Sequence, residues 1–245
     1  MIIRRFENWD LLHISTLVLE REEIHIWCIR WTKITAWILD HWNVMCDDEK
    51  NAAQKFIKHD DQMRYAVGKI MSRLILARYM NISERNILIS KNKYGKPFIR
   101  QLEMEEPIQY NISHSGEFVL LAVTKYSEIG IDIELLRELP DYLEIAQTVF
   151  SPEEAEIIKD SNSPNIFFCY WTAKEAYVKA LGTGLFTNLK LFMIERNEII
   201  DCGGRKKEWK LIRLYIAENY VSHIAVKLEY IGESNEKFKE ENMDF

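Results

Sequence analysis

A chain of 245 residues, 47% of them hydrophobic and 29% charged, can build one large domain or two compact halves around a substantial core. Its formal charge of −6 argues against a protein whose main task is coating nucleic acid, but leaves room for an anionic small ligand held by a local basic cluster. The four cysteines, Cys28, Cys46, Cys169 and Cys202, form no C-x-x-C pair, so reduced thiols are expected rather than a zinc site or a disulfide framework.

At the N-terminus, Arg4 and Arg5 precede an apolar stretch, residues 11–19, that is broken by His13, Ser15 and Thr16. It lacks the longer apolar run and cleavage site of a signal peptide. No window reaches the roughly 18 apolar residues of a spanning helix, so a cytoplasmic protein is expected. Residues 1 to about 22 suggest no role. Residues 24–32 (IHIWCIRWT) are rich in Ile and Trp and read as a strand. Helical character begins near Asp47 or Asp48. From Asp60 to Tyr79, the positions Tyr65, Val67, Ile70, Met71, Leu74, Ile75 and Ala77 recur at helical spacing, and Asn81 stops that helix.

A short strand (87–90), a turn-forming KNKYGKP (91–97) and Phe98–Ile99 follow. Residues 110–112 and 118–124 read as strands joined by a polar loop, Ser113-His114-Ser115-Gly116. Residues 128–134 alternate, with Ile129, Ile131 and Ile133 on one face and Gly130, Asp132 and Glu134 on the other. Two helices come next. One starts at Ser151-Pro152 with Glu154 completing a capping box. The other runs from Ser163-Pro164 to about Leu181, where Gly182 and Gly184 end it. Strands are expected near 189–195, 209–217 and 222–230, and the polar tail from Gly232 is expected to fray. Helices and strands mix without regular βαβ alternation, which predicts an α+β fold with mainly antiparallel sheets.

Three clusters have chemical content. Asp132 and Glu134 project from one strand face and can converge on a hard cation, although a solvated strand face offers the same pattern. Trp171, Lys174, Glu175, Val178 and Lys179 fall on one helical face, where Glu175 could complete a metal site or act as a base. Equally, Glu175 and Lys179 read as an ordinary i, i+4 surface pair. Arg85, Lys91, Lys93, Lys96 and Arg100 surround the turn at Gly95 with no acid among residues 85–100, as either a phosphate-binding rim or a solvated loop. His114, at a strand end, can hydrogen-bond a phosphate.

The order of the motifs says more than any one of them. YGKPF (94–98), YNISHSG (110–116), GIDIE (130–134), FSPEE (150–154) and WTAKEAYVKALGTGL (171–185) resemble the 4′-phosphopantetheinyl transferases, in the larger single-chain group typified by the surfactin-synthetase activator. The resemblance covers roughly residues 60–186. It implies two similar α/β halves related by a pseudo-twofold, with coenzyme A in the cleft between them. Residues 1–125 would form the nucleotide side, and residues 126–245 the half with the metal and the catalytic helix.

The implied reaction moves 4′-phosphopantetheine from coenzyme A to a serine of an apo acyl or peptidyl carrier protein. The implied metal ligands are Asp132, Glu134 and Glu175, for Mg²⁺ or, in its place, Mn²⁺. Glu175, Lys179 and Asp132 are the implied catalytic residues. Arg64, Lys96, Ser113, His114, Lys174 and Lys179 are the implied ligands of coenzyme A. A monomer is implied as well, with neither nucleic acid nor membrane as partner. Two other readings stand beside this one: a metal-dependent phosphodiesterase, and a non-catalytic module that binds coenzyme A or a carrier protein.

Overall fold

A computed structural model describes residues 1–8, 17–100, 107–228 and 239–240. Its regular elements, in chain order, are β1 (Ile2–Glu7), β2 (Glu23–Arg30), α1 (Thr35–Asp40), α2 (Asp47–Ala53), α3 (His59–Met80), β3 (Ile89–Lys91), β4 (Pro97–Ile99), β5 (Ile108–Ser115), β6 (Phe118–Lys125) and β7 (Ile129–Leu135), followed by α4 (Tyr142–Val149), α5 (Pro152–Ser161), α6 (Pro164–Leu181), β8 (Phe192–Glu195), β9 (Glu198–Asp201), β10 (Lys206–Leu214), β11 (Tyr220–Lys227) and β12 (Lys239–Glu240). This is the α+β class expected. The chain forms two compact units. One holds Met1–Ser90, Phe98–Tyr126 and β12; the other holds Lys91–Pro97 and the described residues between Ser127 and Gly232. The units share a plan: each has a five-stranded sheet and one long helix.

In the first unit the strand order is β12-β1-β2-β6-β5. Strands β2, β6 and β5 pair antiparallel, whereas β1 runs parallel to both β2 and β12. The long helix α3 lies on β5 and β6, and Met63, Val67, Ile70 and Met71 share one core with Trp27, Leu121 and Val123. It ends at Asn81, whose φ of +51° is the left-handed cap that asparagine tolerates.

Here the structure departs from expectation twice. Ile2–Glu7, which suggested no role, is strand β1, and Arg4 Nε donates to the buried Glu23 carboxylate at 2.6 Å. Ser113, His114 and Ser115, expected in a loop, extend β5; the chain reverses at Gly116, whose φ of +53° favours glycine, and at Glu117. The polar tail from Gly232 lies outside the described residues apart from β12.

In the second unit the strand order is β7-β11-β10-β9-β8, antiparallel throughout. Helix α6 crosses β7 and β11, and Ala173, Ala176, Tyr177, Val178 and Ala180 form a core with Phe192, Ile199, Trp209 and Leu211. Its caps match the expected signals: Ser163-Pro164 at the start, and at the end Gly182 with φ +68°. Short helices α1 and α4 and strand β9 carried no legible period. Among the described residues no helix is long and apolar enough to cross a membrane.

Among the described glycines of this unit, Gly130 meets its neighbours most closely. A Cβ on Gly130 would lie 2.0 Å from the Ala176 carbonyl oxygen and 2.4 Å from the Ala180 nitrogen. Both obstacles are helix backbone, which cannot rotate aside. Gly130→Ala should therefore cost about 3 kcal/mol or prevent folding. The cost should appear as a lower denaturant midpoint at unchanged slope. A loss below about 1 kcal/mol would show that α6 can retreat from β7.

Candidate active site

The contact at Gly130 decides which way the acids of β7 point. Gly130, Asp132 and Glu134 share one strand face, and that face meets α6. Asp132 is buried, and its Oδ1 accepts from Lys179 Nζ at 2.6 Å. Its backbone oxygen accepts from Ser222 Oγ on β11 at 2.7 Å, which fixes the strand at this point. Lys179 keeps 28% of its side chain exposed, so its ammonium reaches both the pair and solvent. Glu175 lies one turn earlier on α6. Burial pushes its carboxyl above the usual range, the Asp132 carboxylate adds to this, Lys179 opposes it, and Glu134 adds again. Glu134 also accepts from Arg137 Nη1 at 3.4 Å. A carboxylate with heightened proton affinity beside a lysine has the make-up of a general base with a cationic partner.

The metal implied by the sequence resemblance can be tested against this geometry. The donors are hard carboxylate oxygens, which suit Mg²⁺ or Mn²⁺. They lie close enough that Asp132 and Glu134 both bias the Glu175 carboxyl. In donor chemistry and charge the set fits a divalent cation. As the side chains stand, no three acids, histidines or cysteines among the described residues form a ligand cluster, and Lys179 lies against Asp132.

Lys96 sits in the turn after β3. Its Nζ donates to Ala180 O at 2.7 Å and Ile129 O at 3.3 Å, tying that turn to the C-terminal end of α6 and the start of β7. Burial lowers its ammonium to about 8, with Glu128 acting the other way. Asn92 Nδ2 donates to Gly182 O at 2.8 Å and braces the same join. In the first unit, Arg64 Nη1 donates to Gly116 O at 2.8 Å, and Nη2 pairs with Asp61. Arg64 is thereby anchored on the turn that follows Ser113 and His114. Those two neighbours alternate across β5, Ser113 buried and His114 exposed.

Lys174, which the sequence resemblance groups with Glu175 and Lys179 as an implied ligand of coenzyme A, points away from those two in the structure. It is wholly buried, and its Nζ donates to Glu154 Oε2 at 2.6 Å, Leu189 O at 2.7 Å and Phe192 O at 2.6 Å. Those three bonds use all three ammonium donors. Glu154 does form the expected capping box with Ser151, and it also accepts from Ile194 N at 2.9 Å. Local cap chemistry explained Glu154 in the sequence and so hid its second partner. A further polar contact had no signal in the sequence: His223 on β11, opposite Asp132, lies 2.8 Å through Nδ1 from Thr172 Oγ1 on α6.

Two family models cover most of the chain. Residues 29–126 match one described as 4′-phosphopantetheinyl transferase, N-terminal, and residues 128–225 match the 4′-phosphopantetheinyl transferase superfamily. The 4′-phosphopantetheinyl transferase HetI of Nostoc sp. is 31% identical over 217 residues, covering 86% of this chain and 90% of that protein. The 4′-phosphopantetheinyl transferase gsp of Aneurinibacillus migulanus is 35% identical over 154 residues, 62% of each chain. Sfp of Bacillus subtilis, also named a 4′-phosphopantetheinyl transferase, is 31% identical over 154 residues, 62% of this chain and 66% of its own. The chain belongs to the 4′-phosphopantetheinyl transferase superfamily and is a transferase of that type.

His223 makes the unit sensitive to acid. The Thr172 hydroxyl donates to Phe168 O at 2.8 Å, so the His223 Nδ1–H donates to Thr172. Burial, with help from the Arg213 charge, takes the imidazole from the usual 6.5 to about 4. Between those values the unfolded chain binds a proton that the folded chain refuses, so stability falls as pH drops, by about 3 kcal/mol in all. Urea unfolding at pH 6.5 and pH 4.5, with chelator present, should show about 2 kcal/mol of this loss. His223→Asn, which can keep the bond to Thr172, should remove most of it; an unchanged slope would assign the acid sensitivity elsewhere.

Proposed function

We propose that this chain transfers the 4′-phosphopantetheine group of coenzyme A to a serine hydroxyl of an apo acyl or peptidyl carrier protein and releases 3′,5′-ADP. The observation that carries the reading is the meeting of Glu175, Asp132, Glu134 and Lys179 between β7 and α6, in a chain of this superfamily. In the reaction the serine Oγ forms a bond to the β-phosphorus of coenzyme A, and the bond from that phosphorus to 3′,5′-ADP breaks. Glu175 takes the serine proton; its raised proton affinity supports that role. Lys179, charged and partly exposed beside Asp132, steadies the negative charge on the departing 3′,5′-ADP. Asp132, Glu134 and Glu175 would hold Mg²⁺ or Mn²⁺, which supplies neutralisation of the pyrophosphate charge.

Arg64, Ser113, His114 and Lys96 position the nucleotide. The anchoring of Arg64 on the turn beside Ser113 and His114 supports their acting together. The same reading makes the enzyme a cytoplasmic monomer, and four free thiols, with Cys46 and Cys202 exposed, favour a reducing compartment.

The decisive experiment follows the intact mass of an unmodified carrier protein mixed with the chain, coenzyme A and Mg²⁺. A gain of one phosphopantetheine arm, abolished by chelator, is expected; no gain on any carrier class would sink the reading. Asp132→Ala and Glu175→Gln should each lower kcat by roughly a hundredfold or more. Arg64→Ala and His114→Ala should raise the KM for coenzyme A more than they lower kcat. Full activity in Glu175→Gln would remove it as the base.

A further inference from the structure

Helix α6 carries two lysines with opposite fates. Lys179 faces Asp132, while Lys174 is sealed inside the protein against Glu154, with side-chain exposures of 0% and 2% for that second pair. The sealed pair joins four pieces of chain. Glu154 Oε2 receives Lys174 and also the Ser151 N–H at 3.2 Å, and Oε1 receives the Ile194 N–H at 2.9 Å. Lys174 adds Leu189 O and Phe192 O, and its ammonium lies 4.5 Å from the Phe192 ring centroid and 5.5 Å from that of Phe150. These bonds come from four pieces of chain and are directional, so together they favour one orientation of α6.

We infer that the buried Lys174–Glu154 pair is a positioning device that sets the rotation of α6 and so aims Glu175 and Lys179 at Asp132; this rests on the transferase reading above. The geometry supplies the lever. Consecutive helix residues are about 100° apart, so fixing Lys174 fixes the direction of Glu175 next to it. Side-chain ends lie roughly 6 Å from a helix axis, so a turn of about 10° moves a carboxylate by about 1 Å. A displacement of about 1 Å at a reacting group can cost on the order of a hundredfold in rate.

Sealing a charge pair in a core brings little net stability, because desolvation offsets the attraction, whereas apolar side chains of the same volume would pack as well. Apolar packing on the small Ala173–Ala176–Ala180 face would also let α6 turn more freely. Lys174 and Glu154 are positioning residues here. Neither touches the reacting atoms.

The test uses Lys174→Met/Glu154→Gln, which removes both charges and keeps one acceptor oxygen, enough for the Ser151 N–H of the capping box, while the Ile194 N–H loses its acceptor. At about 15 °C, on protein shown to be folded by circular dichroism, kcat should fall at least tenfold. The dissociation constant of coenzyme A, measured by calorimetry, should stay within about threefold of the parent. Unchanged kcat with a lower melting temperature would overturn the inference by showing a purely structural pair. A large loss of coenzyme A affinity with kcat retained would also overturn it, by returning Lys174 to the nucleotide. If the double variant does not fold, Lys174→Arg keeps the charge but alters its reach. It should show the same split between kcat and affinity, and parental kcat there would overturn the inference. Failure of the parent chain to modify any carrier would instead refute the transferase reading, an outcome separate from all of these.

Discussion

The second unit depends on the absence of a side chain at Gly130. With only hydrogen there, the α6 backbone rests on β7, and the strand positions that follow at intervals of two, Asp132 and Glu134, are presented to the same helix. A larger residue would push the helix off the strand and separate the acids from Glu175 and Lys179. The glycine of GIDIE thus acts on the chemistry at a distance, by setting how far a helix stands from a sheet. The Ala176 and Ala180 backbones that it meets belong to the same turns of α6 that carry Glu175 and Lys179.

Charge is handled in two ways on that helix. The Asp132–Lys179 pair stays open to water on the lysine side, at 28% exposure. The Glu154–Lys174 pair is closed on every side and satisfied by two backbone carbonyls and two backbone N–H groups. Burial lowers the proton affinity of the Lys174 ammonium, and Glu154 works against that through both its charge and its hydrogen bond. A chain of net charge −6 can therefore present a local cation next to its acids without an extended basic surface.

The parts of this molecule that follow local rules were legible in the sequence. Helices α3 and α6 showed their periods; Asn81, Ser163-Pro164 and Gly182 marked their ends, and Ser151-Pro152 the start of α5, because caps are set by neighbouring residues. The acids of β7 were legible as a pair for the same reason, through the two-residue period of a strand. What was not legible depends on partners far away in the chain. Strand β1 (IIRRFE) carries charged residues where a core strand would not, because it joins the sheet through backbone pairing with β2 and β12. Lys174 looked like part of an outward face because Glu154, the residue that draws it inward, was already accounted for by its own helix cap.

The rotation of α6 matters because one helix serves both the core and the site. Ala173, Ala176, Tyr177, Val178 and Ala180 are buried among Phe192, Ile199, Trp209 and Leu211, while Glu175 and Lys179 lie between them in sequence. Each large apolar side chain in such a core contributes roughly 1.5–3 kcal/mol, so the helix cannot leave the sheet without losing much of the unit's stability. Apolar contact is non-directional, however, and resists withdrawal better than it resists rotation. A helix held only by alanines and a few large side chains would keep its distance from β7 but would leave its carboxylate free to swing. The directional bonds of Lys174 supply the missing constraint. Distance is set by Gly130 and the core, rotation by the buried ion pair, and the place of Glu175 beside Asp132 follows from both.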